Sequence, residues 1–154
     1  YEILIGLVGS EMCIRDSMET PPAGKLLTSK GGKVFIAAAA EYPTRRAALE
    51  AAGAEVWVLP DAAVPGRVDL RELMRELAKR EVNEVHVEAG PWLSGALFAA
   101  GLIDEMLFYY APCLFGAGMG PAAVPLPAEP GAAYRWRLQS LDQIGGDFRV
   151  LLRR

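Results

Sequence analysis

Short apolar runs alternate with amphipathic segments through the first two thirds of the 154-residue chain. Residues 33–40 form a continuous apolar run, which is typical of a strand covered on both faces. A helix of about ten residues is predicted to open at Pro43 and to close at Gly53, because proline favours a first turn and glycine a C-cap. Residues 55–60 then predict a second strand.

The clearest helical period follows a loop. Apolar residues recur at helical spacing from Leu70 to Leu77, charged residues occupy the other side, and Asp69 stands at the N-cap. Strict alternation over residues 84–88 predicts a third strand, and residues 91–100 predict a further helix. Strands that alternate with helices in this way indicate a largely parallel sheet with covering helices.

The end of the chain has a different pattern. A strand is predicted at residues 104–111, and a long connection rich in Gly, Pro and Ala at residues 112–131. Residues 134–141 and 148–152 flank Gly145-Gly146, which predicts an antiparallel hairpin at the edge of the sheet. The predicted fold class is therefore α/β, with a mostly parallel sheet, covering helices and a C-terminal antiparallel hairpin.

Composition narrows the function classes. The formal net charge of -3 offers no basic field for a phosphodiester backbone, so nucleic acid is not an expected partner. Cys13 and Cys113 lack the paired spacing of a zinc site or a disulfide framework, which predicts no metal and favours a reducing compartment. No apolar run approaches the roughly 20 residues that cross a bilayer, so no membrane association is expected.

The first seventeen residues are treated separately. Residues 8–17 resemble the translated sequencing-adapter read-through found at the ends of some reading frames. We therefore expect residues 1–17 to be a non-native leader, neither a signal peptide nor an evolved strand, and residues 18–154 to be the C-terminal part of a single domain. A genuine short N-terminal strand is the alternative.

The candidate chemistry lies at a strand-to-helix junction. Glu88 ends a strand, Gly90 permits close approach of a ligand, and Pro91 opens a helix. Because the first N–H groups of a helix lack internal acceptors and carry partial positive charge, the junction can hold a phosphate. The expected donors are the N–H groups of Trp92, Leu93 and Ser94, with the Ser94 hydroxyl in addition. A plain structural turn is the alternative.

Four blocks of the sequence, taken together, resemble the C-terminal reductase domain of the bifunctional riboflavin-biosynthesis deaminase/reductase. These blocks are residues 87–97, 101–105, 110–116 and 144–148. The resemblance covers about Thr20 to Arg154. It implies a dihydrofolate-reductase-like fold, here incomplete, and an NADPH-dependent oxidoreductase acting on a CH-OH group. The implied reaction reduces 5-amino-6-(5-phosphoribosylamino)uracil to its ribitylamino form.

The resemblance also implies roles for individual residues. Glu88 matches the family glutamate that contacts the substrate sugar. The NADPH-binding turn of the family is matched by Gly90, Pro91, Trp92, Leu93, Ser94, Gly95 and Ala96. No catalytic residue is carried over. Arg45 and Arg46 are candidates for the 2'-phosphate of the cofactor, with a solvated helix face as the alternative.

The family further implies a cytoplasmic homodimer that pairs through the reductase domain. The apolar edge around Trp136 and Leu138 is a candidate contact, although an ordinary core strand explains it equally well. The family's earlier segments have no counterpart before Thr20, so we expect the chain alone to have little activity. The alternatives are a non-catalytic nucleotide-binding or dimerisation domain and a related reductase of another pterin or pyrimidine.

Several other residues are not assigned to the site. His86 is interpreted as structural because the chain has no second histidine. The glycines of residues 116–120 precede prolines and no helix, unlike a dinucleotide fingerprint. Asp104 and Glu105 are expected to cap a loop or to lie at an interface.

Overall fold

The computed structural model describes residues 4–7, 10–14, 17–28, 32–114, 116–118, 120–129, 131 and 133–154. The strands are β1 (Leu4–Leu7), β2 (Ser10–Ile14), β3 (Lys33–Ala38), β4 (Ala54–Val58), β5 (His86–Glu88), β6 (Glu105–Tyr110), β7 (Arg137–Ile144) and β8 (Asp147–Arg153). The helices are α1 (Lys25–Thr28), α2 (Pro43–Ala51), α3 (Leu70–Lys79) and α4 (Pro91–Ala99).

The main sheet has five strands in the order β4-β3-β2-β1-β5. Strand β3 pairs in parallel with both β2 and β4. Strand β1 is antiparallel to β2 and to β5, so β5 runs in the same direction as β2, β3 and β4. The predicted mostly parallel sheet is confirmed. The carboxyl ends of its four parallel strands therefore meet at one edge.

Both faces of this sheet are covered. Phe35, Ala37 and Ala39 pack on one side with buried residues of α3 and α4, whereas Ile36 and Ala38 pack on the other side with Leu49 of α2. Successive residues of a strand point to opposite faces, so the continuous apolar run of β3 serves both layers. The sequence prediction of a doubly covered strand is confirmed.

Two helix boundaries follow their predicted signals. Gly53, just after α2, has φ +95°, a backbone conformation that glycine adopts without steric cost. At α3, the Asp69 side chain accepts hydrogen bonds from the N–H groups of Arg71 and Glu72, both at 2.9 Å. This side chain satisfies two donors that the helix itself cannot pair.

None of the helices in the described part of the chain has the length and apolar character that a membrane crossing requires.

The C-terminal strands form a second sheet. Strands β6, β8 and β7 pair in that order, all antiparallel. The predicted hairpin is present, and its first turn residue, Gly145, has φ +62°. Its predicted place at the edge of the main sheet is wrong, because β8 pairs along its whole length with β6, from Glu105↔Arg153 to Tyr110↔Phe148.

The segment at the N-terminus differs from expectation too. Residues 1–17 are expected to be a leader that contributes nothing to the fold, yet residues 4–7 and 10–14 form two neighbouring strands between β3 and β5. The expectation that this segment contributes no strand is wrong. Its backbone supplies β3 with a second neighbouring strand and supplies β5, which stands at the end of the strand order, with a hydrogen-bonding partner. Its non-native origin stays a prediction, and residues 1–3, 8–9 and 15–16 lie outside the described residues.

Candidate functional site

The strand-to-helix junction has two N–H groups without acceptors. Gly90 is the N-cap of α4, with φ -69° and ψ 168°, and no side chain caps the helix. In the part of the chain that the structure describes, the N–H groups of Trp92 and Leu93 donate to no acceptor. Pro91 has no N–H to give. Unpaired amides at the positive end of a helix are the kind of group that can hold an anion.

The expectation for Ser94 is wrong. Its N–H donates to the Gly90 carbonyl oxygen at 3.1 Å, and its hydroxyl donates to the Ala89 carbonyl oxygen at 3.4 Å. The physical reason is the register of the helix, since the carbonyl of an N-cap residue accepts the first intrahelical bond. Ser94 therefore stabilises the turn, and its donors are already paired.

The space in front of Gly90 is open. A Cβ built on Gly90 would meet no atom within 4 Å, and the backbone angles of Gly90 are ordinary for any residue. The fold itself therefore does not require glycine here, whereas a ligand that lies against the backbone does. Gly95 is different, because it is buried against the backbone of Ala123. Ala96 is exposed one turn further along the helix.

Glu88 and His86 share one face of β5. The Glu88 side chain is 75% exposed, and its Oε1 lies 3.5 Å from the Nε2 of His86. The carboxylate is thus exposed at the end of the strand that precedes the free amides. The sequence interpretation set His86 aside, although the two-residue period of a strand places positions 86 and 88 on the same side. Trp92 adds an indole that is 66% exposed at the first turn of α4.

A cavity of about 360 Å³ lies elsewhere on the same edge of the main sheet. It is lined by Met18, Glu19, Thr20, Pro21, Pro22, Thr44, Arg45, Ala48 and Leu49. These residues follow the carboxyl ends of β2 and β3, as the amides of α4 follow β5. Three strand spacings, about 14 Å, separate β3 from β5 in the sheet. Ligands of open α/β sheets bind along such an edge.

The two candidate arginines have different surroundings. Arg46 is paired with Glu41 at 2.7 Å and with Glu50 at 2.8 Å. Hydrogen bonds that the guanidinium donates to Glu50 and then to Glu41 raise the pKa of Arg46 above its ordinary value. Arg45 lines the cavity, donates to the Ser17 carbonyl oxygen at 2.6 Å and lies 3.7 Å from Glu19. Of the pair, Arg45 is the one that faces open space.

The other predicted positions lie away from the junction. Glu105 pairs with Arg153 across β6 and β8, and the Asp104 carbonyl oxygen accepts from the N–H of Arg154. Gly116, Gly118 and Gly120 lie in irregular chain, and Met119 between them is outside the described residues. Among the described residues no three His, Cys, Asp or Glu side chains lie close enough together to hold a metal ion.

The fold and the junction together define a class: an α/β protein with two unpaired amides at a helix terminus and an acidic residue at the carboxyl edge of a mostly parallel sheet. A family model described as the RibD C-terminal domain matches residues 12–150. The chain belongs to this family.

Curated relatives carry matching descriptions. A Haemophilus influenzae protein named riboflavin biosynthesis protein RibD is 45% identical over 82 residues, which are 53% of this chain and 22% of that protein. A Buchnera aphidicola protein named 5-amino-6-(5-phosphoribosylamino)uracil reductase is 31% identical over 87 residues, 56% of this chain and 42% of the relative. The chain thus spans less than half the length of either relative.

Solved structures share the fold. Acinetobacter baumannii RibD superposes with a TM-score of 0.72 at 23% identity, covering 92% of this chain and 36% of that one. The Saccharomyces cerevisiae riboflavin biosynthesis reductase Rib7 superposes with a TM-score of 0.64 at 14% identity, covering 92% and 67%. The dihydrofolate-reductase-like α/β class expected from the sequence is confirmed.

Proposed function

We propose that this chain binds NADPH at the first turn of α4 and serves the reduction of 5-amino-6-(5-phosphoribosylamino)uracil to its ribitylamino form. The observation that carries the proposal is the pair of free N–H groups, on Trp92 and Leu93, at a junction whose strand ends in the exposed carboxylate of Glu88. Membership of the RibD C-terminal domain family and the Buchnera reductase that shares 31% identity support the reaction class.

The residues present fit a dinucleotide. The open space at Gly90 admits a diphosphate to the backbone, and the two free amides donate to its oxygens. The Glu88 carboxylate accepts hydrogen bonds from sugar hydroxyls and so orients the ring that is reduced. When bound, the nicotinamide supplies the hydride, and the protein supplies position and electrostatics.

Arg45 is proposed to recognise the 2'-phosphate that distinguishes NADPH from NADH. Its guanidinium lines the cavity at the carboxyl end of β3, on the sheet edge that the site shares. Among the residues that the structure describes, its one carboxylate neighbour is Glu19, at 3.7 Å. Two carboxylates already hold the neighbouring guanidinium of Arg46. A doubly negative phosphate gains more from the cation that is less neutralised.

Gly90→Val tests the proposed cofactor site. The backbone at Gly90 is ordinary and the space is open, so valine fits without a clash, at a helix-capping cost of about 1 kcal/mol, but keeps a diphosphate from the free amides. Loss of hydrogen bonds to a charged group costs about 1.5–3 kcal/mol, so we expect the Kd for NADPH to rise roughly tenfold to a hundredfold. The Kd is measured by titrating the chain with NADPH and following the fluorescence of the exposed Trp92.

The matched control is Gly118→Val, a glycine that also has nothing within 4 Å but lies in the loop after β6. It is expected to bind NADPH as the unaltered chain does. Equal Kd values for Gly90→Val and the unaltered chain would remove the site from α4. Turnover of the pyrimidine substrate separates an enzyme from a domain that only binds the nucleotide.

We also propose that two copies of the chain pair through the second sheet. By register, one face of this sheet carries Met106, Phe108, Tyr110, Leu138, Leu141, Phe148, Val150 and Leu152, here called the apolar face. A register shift between Leu138 and Ser140 places Leu138 and Leu141 on this same side. The exposed fractions of Leu138, Leu141 and Tyr110 are 57%, 60% and 55%. Exposed apolar patches of this kind mark interaction surfaces.

The cytoplasm is the proposed compartment. Cys113 is a free, exposed thiol, and reducing compartments keep such thiols unpaired.

The other residue predicted at the dimer contact, Trp136, is half-buried and packs against Phe98 with ring centroids 5.8 Å apart. It therefore belongs to the fold of the single chain, and Leu138 alone of that predicted edge is free for a partner.

A further inference from the structure

Helix α4 packs against two different parts of the molecule. Leu93 and Leu97 are buried in the core with β3 and α3. A second stripe, Pro91, Gly95 and Phe98, has the three- and four-residue spacing of one helix face. A helix that is apolar on all sides is typically covered on more than one side. The second stripe faces the chain that follows β6.

Loop residue Ala123 lies on the first turn of this stripe. Its N–H donates to the Pro91 carbonyl oxygen at 2.7 Å. A Cβ on Gly95 would lie 2.3 Å from the Ala123 carbonyl oxygen and 2.8 Å from its carbonyl carbon, so a side chain there forces the loop backbone to move. Glycine is a poor residue for the middle of a helix. The close approach of Ala123, and not the helix, explains Gly95.

The other end of the stripe is held as well. The Phe98 ring meets the rings of Tyr134 and Trp136, with centroids 4.6 Å and 5.8 Å away. Helix termini fray when nothing fixes them, and the first turn of α4 has no side-chain cap. The contact from Ala123 is therefore an external restraint on the turn that carries the free amides of Trp92 and Leu93.

We infer that Gly95 is a positioning residue for cofactor binding: by admitting the backbone of Ala123, it fixes the first turn of α4 in the geometry that holds a diphosphate. This inference rests on the proposed function, because its effect is exerted on the NADPH site. Gly95 itself does not touch the ligand in this arrangement, since it is buried beneath the loop.

The test uses the whole 154-residue chain and two variants. Gly95→Ala adds the methyl group that the loop backbone cannot accommodate. Ala123→Pro leaves the sequence of α4 unaltered and removes the N–H that donates to the Pro91 carbonyl oxygen. Hydrogen exchange at residues 122–124 reports the loop, and fluorescence titration reports the Kd for NADPH. Gly118→Ala, a glycine with open space around it, is the matched control.

We expect faster exchange at residues 122–124 in Gly95→Ala and at residues 122 and 124 in Ala123→Pro, which has no amide hydrogen at position 123. We also expect a Kd for NADPH at least tenfold higher in both variants, with the control unchanged. A purely structural role lowers the melting temperature but leaves the Kd of the folded protein as it was, and that result overturns the inference. Unaltered Kd values in both variants overturn it too. If the unaltered chain binds no NADPH, the proposed function fails and the inference falls with it.

Discussion

Arg45 and Arg46 are neighbours in sequence with different environments, and this difference gives a prediction at the residue scale. Arg45→Ala is expected to raise the Kd for NADPH roughly tenfold to a hundredfold with little effect on NADH, because one charged hydrogen-bonding group to the 2'-phosphate is lost. Arg46→Ala keeps the preference, since Glu41 and Glu50 already occupy its guanidinium. Titrations of each variant with NADPH and with NADH measure the ratio of the two Kd values.

The contrast between the two variants decides this assignment. An unchanged ratio in Arg45→Ala, or an equal loss in Arg46→Ala, would assign 2'-phosphate recognition to other residues. Both arginines are on the first turn of α2, but Glu50 stands four residues after Arg46, a spacing that pairs side chains on a helix. The positions of Glu41 and Glu19, which lie outside the helix, come only from the folded structure.

At the residue scale, the periods of helices and strands predict the environments of Ser94 and His86. With Gly90 as N-cap, the Ser94 N–H is the first one paired inside the helix, so it could have been excluded as a donor. The alternation of β5 likewise places His86 beside Glu88. The role of Gly95 was out of reach, because Ala123 is distant in sequence and lies in a loop without period.

At the scale of single elements, the N-cap of α3 gives a second prediction. Asp69→Ala is expected to lower the free energy of unfolding by about 1 kcal/mol, because the N–H groups of Arg71 and Glu72 lose their acceptor. Asp69→Asn retains a capping oxygen and should stay close to the unaltered chain. Urea unfolding of the three proteins measures the difference. A loss in the asparagine variant as large as in alanine would contradict capping as the cause.

Element prediction succeeded where one segment contains its own signal. Asp69 with a helical apolar period, or a continuous apolar run such as residues 33–40, marks an element without help from the rest of the chain. The partner of a strand is not encoded this way. The apolar run of β6 does not show which sheet the strand joins, because its pairing with β8 depends on residues some forty positions away.

At the scale of the whole molecule, the apolar face of the second sheet gives a prediction about assembly. Leu141→Lys is expected to convert a dimer to a monomer. Leu141 is exposed, and a lysine in its place would put an ammonium group into the apolar contact between the two copies. Ile144→Lys is the matched control, since Ile144 is 46% exposed on the opposite face of the same strand. Sedimentation velocity measures both. A dimer that persists in Leu141→Lys would place the interface elsewhere.

Strand β3 has a consequence for how this molecule tolerates change. Ala37 and Ala38 are both fully enclosed, one toward each layer of helices, so neighbouring methyl groups set the clearance on both sides of the sheet. Extra methylenes in a tightly packed interior typically cost about 1–3 kcal/mol. A larger side chain at position 37 would therefore push against α3 and α4, whereas one at position 38 would push against α2.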